Sequence, residues 1–320
     1  METKTNIEQS VLKTLAYYRA LKTPLTLVQL GRYLISDRGI SCSLGEIAAV
    51  MNGLVEKNIV TEQKGLYWLK MNASYSEKAW LKFVRLEKIS QRKISKVLKA
   101  LRLFSLVPYL RALFICGSVG RRVSRPKSDI DFLILTKADR VWTVRLFLTF
   151  FAFLLGKKTN DAGRITDKKS RRNKFCLNHY RSSARLGLED PLRDLYSAEE
   201  YAGMINVYAS NRTDRKFFKK NKLWMKKIIP NFNFSKLPAT LSNEYFLSGA
   251  RRTFEKMLEG KIGHIIERLL YLVQLRKINR GSQGLLPNQR VIAEKEVIMF
   301  HLNPRAPLAL KKYEQITGNQ

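Results

Sequence analysis

Leu113-Phe-Ile-Cys-Gly-Ser-Val-Gly-Arg-Arg-Val-Ser-Arg-Pro-Lys-Ser-Asp-Ile-Asp-Phe-Leu-Ile-Leu135 is the stretch around which the chain is organised. An apolar run (Ala112 to Cys116) stops at Gly117-Ser118, a basic, proline-containing loop follows, and a second apolar run carries Asp129 and Asp131. Side chains alternate faces along a strand, so carboxylates two residues apart project from one face. Two such carboxylates repel unless a cation lies between them, and hard oxygen ligands suit Mg²⁺. Gly117 lets the backbone approach a ligand closely, and Ser118 adds a hydroxyl beside exposed N–H groups. A phosphate-binding turn facing a metal-binding acid pair is an arrangement for nucleotide chemistry.

Gly117-Ser118, ten intervening residues and then Asp129-Ile130-Asp131 resembles the signature of the polymerase-β-like nucleotidyltransferase superfamily. Arg121 and Ser128 fall where such proteins often carry a basic residue and a residue leading into the acidic strand. The resemblance covers the core motif and extends at most over Leu110 to Ser183. It implies an α+β fold with a small mixed sheet flanked by helices. It also implies an Mg²⁺ (or Mn²⁺) ion held by catalytic Asp129 and Asp131, and an NTP contacted by Gly117, Ser118, Arg121, Arg122, Ser128 and Asn178. The implied reaction moves a nucleoside monophosphate onto a hydroxyl and releases pyrophosphate, with Asp131 as the candidate base.

The chain departs from that pattern at one place. In the family a third carboxylate commonly lies on the strand beside the pair, but here that strand reads Lys174-Phe-Cys-Leu-Asn-His-Tyr-Arg-Ser-Ser183. The position facing the pair is Asn178 or Cys176, and neither is an acid. Three readings stay open: two acids completed by substrate phosphates, a third acid from elsewhere (Asp161, Asp167, Glu189 or Asp190), or a site that binds nucleotide without turning it over. The last makes the chain a regulatory or nucleic-acid-binding protein acting through its N-terminal region and basic surface.

The 320 residues, 45% of them hydrophobic, are enough for two or three packed domains. The net charge of +33 points to polyanionic partners such as RNA, nucleotides or acidic membrane surfaces, or else to a merely solvated basic surface. Cys42, Cys116 and Cys176 are scattered, and with three histidines they lack the spacing of a zinc site. Unpaired cysteines and an N-terminus without signal-peptide character predict a cytoplasmic protein. Val141–Leu155 is apolar almost throughout but shorter than the roughly 20 residues that span a bilayer, so it predicts a buried helix ended by Gly156 and no transmembrane segment.

Residues 1–74 read as three helices (Asn6–Leu21, Thr26–Ile35, Ser43–Asn58) and a hairpin over Ile59–Lys70, a winged-helix-like order. Ser43 and Glu46 make a capping-box pattern. Residues 1–75 hold nine Lys/Arg against six Asp/Glu, only +3 of the +33. That favours docking or dimerisation over DNA reading. Residues 75–108 read as a connecting helix, Tyr75–Phe104, whose basic face (Lys82, Arg85, Lys88, Arg92, Lys93, Lys96, Lys99) is expected in solvent. Residues 109–190 make the core: strands 112–116, 129–135 and 174–181, with a helix over 139–155 and a loop over 156–173. Residues 191–320 read as helical, with helices Leu195–Ser210, Asp214–Ile229 and Leu247–Ile278, a linker at Gly281–Pro287, and a strand or helix at Glu294–His301. Phe217, Phe218 and Trp224 lie among basic residues, where they either stack nucleotide bases or form the buried face of a helix.

Overall fold

Two short apolar segments, buried on both faces, build the centre of the protein. In a computed structural model that describes residues 2–70, 76–157, 173–234, 240–241, 248–281 and 290–301, the chain is α+β. The N-terminal module comprises α1 (Glu2–Ala20), β1 (Leu25–Thr26), α2 (Leu27–Arg32), α3 (Leu44–Glu56), β2 (Val60–Gln63) and β3 (Leu66–Leu69). Its three strands pair in the order β1-β3-β2. The expected capping box starts α3: Ser43 Oγ accepts from Glu46 N (3.2 Å) and Glu46 Oε2 accepts from Ser43 N (2.7 Å). Lys64 and Gly65 both take positive φ (52° and 76°), which turns β2 into β3.

The long α4 (Ser76–Phe104) leads into β4 (Leu110–Ile115), α5 (Gly117–Gly120), β5 (Ile130–Thr136), α6 (Val141–Leu154) and β6 (Phe175–Ser182). Then come α7 (Leu195–Ala202), β7 (Ile205–Ala209), α8 (Thr213–Ile228), α9 (Ser248–Met257), α10 (Gly260–Gly281), β8 (Arg290–Ala293) and β9 (Val297–His301). Six strands form one mixed sheet in the order β7-β4-β5-β6-β9-β8, with β5 and β6 parallel and the other pairs antiparallel.

Each face of this sheet buries its own core. Ile130, Phe132 and Ile134 point to one side, with Trp142 and Leu148 of α6 and Phe104 of α4. Leu133 and Leu135 point to the other, with Phe217 and Phe218 of α8 and Tyr201 of α7. Phe217 and Phe218 are therefore core rather than base-stacking residues, and Trp224 is held by a bond from its Nε1 to Asn221 Oδ1 at 3.0 Å. The helix expected over Val141–Leu155 packs on the sheet as foreseen, with Leu146, Phe150, Phe153 and Leu154 left exposed on its outer side. No helix among the described residues is long and apolar enough to cross a membrane.

The C-terminal region is helical only in part. The helix expected through Ser210 stops at Ala202, and Ile205–Ala209 is instead an edge strand paired with β4. Within Glu294–His301, Val297–His301 forms the strand β9, beside β8. Two carboxylates from the C-terminal helices grip the core. Glu267 accepts from Trp142 N (2.8 Å) and Thr143 N (2.9 Å), satisfying free N–H groups at the start of α6. Glu255 takes the Arg111 guanidinium bidentately, at 2.8 and 3.1 Å.

The N-terminal module sits against α7 and α8. Asn231 brackets its loop, accepting from Cys42 N at 2.8 Å and donating to Cys42 O at 2.8 Å, while Ser36 N donates to Ile228 O at 3.0 Å. At the seam the buried Glu199 of α7 accepts from Tyr18 Oη at 2.5 Å. Burial pushes the Glu199 carboxyl up to about 8, against the opposing pull of the Tyr18 hydrogen bond and the Arg121 charge.

The native chain thus keeps a proton that the unfolded chain releases near the ordinary value of 4.5. The seam is at full strength below about pH 4.5 and weakens as the pH rises toward about 8. Glu199→Gln cannot ionise, so urea unfolding at about pH 5 and about pH 8.5 should show the variant gaining stability relative to wild type at the higher pH.

Candidate functional site

The acid pair sits where β5 begins. Ile130 and Phe132 enter one core and Leu133 the other, so the alternation puts Asp131 on the α7/α8 side of the sheet, with Asp129 just before the strand. On the parallel neighbour β6, the residue in register with Asp131 is Cys176. Carboxylate oxygens of Asp129 and Asp131 and the Cys176 Sγ all lie within 4.8 Å of one another, and all three residues are half-buried. Of the two residues expected to face the pair, Cys176 occupies the place.

Asn178 is directed elsewhere by an irregularity in pairing. Between the pairs Asp131–Cys176 and Leu133–His179, β5 advances two residues while β6 advances three. This bulge reverses the facing of β6. Asn178 Nδ2 donates to Phe300 O at 3.3 Å, toward β9.

Gly117 abuts the pair from the end of β4. Its φ is +61°, and a Cβ on it would lie 2.6 Å from Asp131 Oδ2. Glycine is required here twice over, for the left-handed backbone and for the approach of the carboxylate. Next to it, the Ser118 Oγ is buried and makes no hydrogen bond among the described residues. A buried hydroxyl without a partner costs free energy unless a ligand supplies one. Cys116, the last residue before the turn, has its thiol pushed well up by burial, then by the charges of Glu200 and Asp131. Glu200 of α7 therefore also acts on this side of the sheet.

The loop joining the turn to the acids is held by a residue of the basic face of α4 that was expected in solvent. Lys93 of α4 is buried, and its Nζ donates to Ser124 Oγ (2.9 Å), Arg125 O (2.8 Å) and Ser128 O (2.6 Å). Ser90, one turn earlier, accepts from Ser124 N at 2.9 Å. The side of α4 that meets the core also carries Ile94, Val97 and Leu101, so Lys93 belongs to the buried face at helical spacing. Ser128 contributes to the loop through its backbone, donating to Arg125 O at 3.1 Å and accepting from Lys93.

Arg121 and Arg122 are felt by groups at the seam with the N-terminal module. Burial works against the Arg121 charge, but the surrounding Tyr196, Tyr17, Glu200 and Tyr18 outweigh it and raise its pKa. Those groups belong to α7 and α1, so Arg121 faces the seam with the N-terminal module. Arg122 adopts a left-handed φ of 62°, and its charge is felt by Tyr33 of the same module. Of the other acids considered, Glu189 is paired with Arg185 (2.8 Å) and Asp190 with Arg193 (3.5 Å), both exposed. Asp161 and Asp167 lie outside the described residues.

The donor set suits a divalent cation: two carboxylates and a thiol converge, a glycine makes room for one of the acids, and a hydroxyl without a partner among the described residues stands at the turn. Asp129 and Asp131 would hold the ion, with Cys176 beside them. No protein-family model matches the chain, and neither a curated protein nor a solved structure does.

Two substitutions test this construction. Lys93→Ala leaves three acceptors without their ammonium and should destabilise the protein by about 3 kcal/mol in urea titrations. Gly117→Ala, which strains the backbone and displaces Asp131, should cost about 1–3 kcal/mol. It should also weaken metal binding in calorimetry more than that loss of stability explains.

Proposed function

We propose that the chain is a metal-dependent nucleotidyltransferase of the polymerase-β-like kind, moving a nucleoside monophosphate from an NTP onto a hydroxyl acceptor with release of pyrophosphate. The observation that carries this reading is the convergence of Asp129, Asp131 and Cys176 within 4.8 Å, with Gly117 pressed against Asp131. A bound Mg²⁺ or Mn²⁺ would screen the triphosphate and make the acceptor hydroxyl more acidic. Asp129 and Asp131 hold the charge that attracts it. Ser118 Oγ offers its free hydrogen bond to a phosphate oxygen. Asp131 is the candidate to receive the acceptor's proton. An RNA end, a protein side chain or a small hydroxylated molecule can each serve as acceptor in this chemistry.

In this reading the winged-helix-like N-terminal module is a docking element. Its α3 contains Glu46 and Glu56 and no lysine or arginine, the wrong charge for a helix lying along phosphates. The thiol in place of a third carboxylate supports a second reading, a nucleotide sensor that binds without turnover.

Incubation with each α-labelled NTP, Mg²⁺ or Mn²⁺, bulk RNA and cell extract distinguishes them. Transfer of label by wild type, lost at least about 100-fold in Asp129→Ala/Asp131→Ala, is the expected result. Metal-dependent NTP binding without transfer would mean a sensor. Neither binding nor transfer would overturn both readings.

A further inference from the structure

Cys176 is the feature of this site that the chemistry of an all-carboxylate cluster does not account for. Its Sγ lies within 4.8 Å of oxygens from both Asp129 and Asp131. The placement is set by backbone pairing rather than by side-chain accident, because Cys176 is the register partner of Asp131 on the adjacent parallel strand. Ligand atoms around one small divalent ion stand roughly 3–4 Å apart when metal–oxygen distances are about 2.1 Å and metal–sulfur distances about 2.3 Å. The three atoms, within 4.8 Å of one another, stand near that spacing.

A thiolate changes which ion such a site prefers. Carboxylate oxygens are hard ligands that suit Mg²⁺, whereas sulfur is soft and favours Co²⁺, Zn²⁺ and Cd²⁺. Mg²⁺ also demands near-octahedral oxygen coordination and gives up its water reluctantly, which a thiolate does nothing to offset. Asn178 of the same strand is turned toward β9, its Nδ2 donating to Phe300 O. The alternative third acids that the structure describes, Glu189 and Asp190, are paired with arginines at the surface.

We propose that Cys176 is the third protein ligand of the Asp129–Asp131 site, and that its sulfur makes this a mixed oxygen–sulfur centre preferring a soft divalent cation to Mg²⁺. On binding, the Sγ–metal bond forms as the thiol gives its proton to the solvent. The proposal rests on the reading of the acid pair as a metal site. It adds the identity of the third ligand and the class of metal.

The test uses full-length reduced protein titrated with Co²⁺ and Cd²⁺, read by calorimetry and by the ultraviolet thiolate-to-metal charge-transfer band. Cys176→Ser and Cys176→Asp run alongside, with circular dichroism to verify their fold. The expected result is a charge-transfer band at one metal per chain in wild type, absent from both variants. Cys176→Ser should bind Co²⁺ and Cd²⁺ at least about tenfold more weakly, since loss even of an outer partner costs that much. Cys176→Asp should shift the preference toward Mg²⁺, which should displace Co²⁺ at an at least about tenfold lower concentration than in wild type.

A band that persists in Cys176→Ser would assign the sulfur to another cysteine and overturn the proposal. Metal binding by calorimetry with no band in wild type would overturn it too, while leaving the acid pair as a metal site. No metal bound by wild type, with or without NTP, would overturn the proposal and the reading beneath it together.

Discussion

A single buried ammonium holds the part of the protein on which the rest of the site depends. The chain must leave β4 at Gly117, travel through a basic loop, and return so that Asp129 and Asp131 face the turn it left. Lys93, reaching in from α4, ties that loop by three of its oxygens. A lysine buried this far is expensive unless its protons are used, and here three acceptors converge on it. The connecting helix is therefore part of the site's construction, although none of its residues belongs to the acid cluster.

Much of this was legible in the chain, and the reasons are local. The Ser43–Glu46 capping box, the Lys64-Gly65 turn and the apolar strands around the acid pair depend on near neighbours in sequence. Their geometry follows from residue type alone. The Asp-Ile-Asp spacing brings the two carboxylates together, because alternation in a strand needs no knowledge of the partner strand.

What escaped depends on distant partners. Lys93 reads as one more cation in a basic helix until the loop 31–35 residues onward folds against it. Ile205–Ala209 reads as a continuation of α7, and the β4 edge makes it a strand. Arg121 stands beside the Gly-Ser turn in the sequence, and only the fold brings tyrosines of α1 and α7 around it. The choice between Cys176 and Asn178 turned on one extra residue in β6, which no side-chain pattern announces. The large positive charge likewise said little about location, since one of those cations is an internal strut.

The bulge in β6 works like a frameshift within a strand. Upstream of it, Phe175 and Leu177 enter one core while Cys176 faces the acids. Downstream the parity is reversed, so that Tyr180 enters that core and His179 meets Tyr201 on the other side. A regular strand would force one alternation on both ends, coupling the requirements of the site to those of the packing. With the frame broken between them, the two ends can change sequence independently, and a new ligand can be tried at 176 without reshuffling the side chains that hold the sheet to its helices.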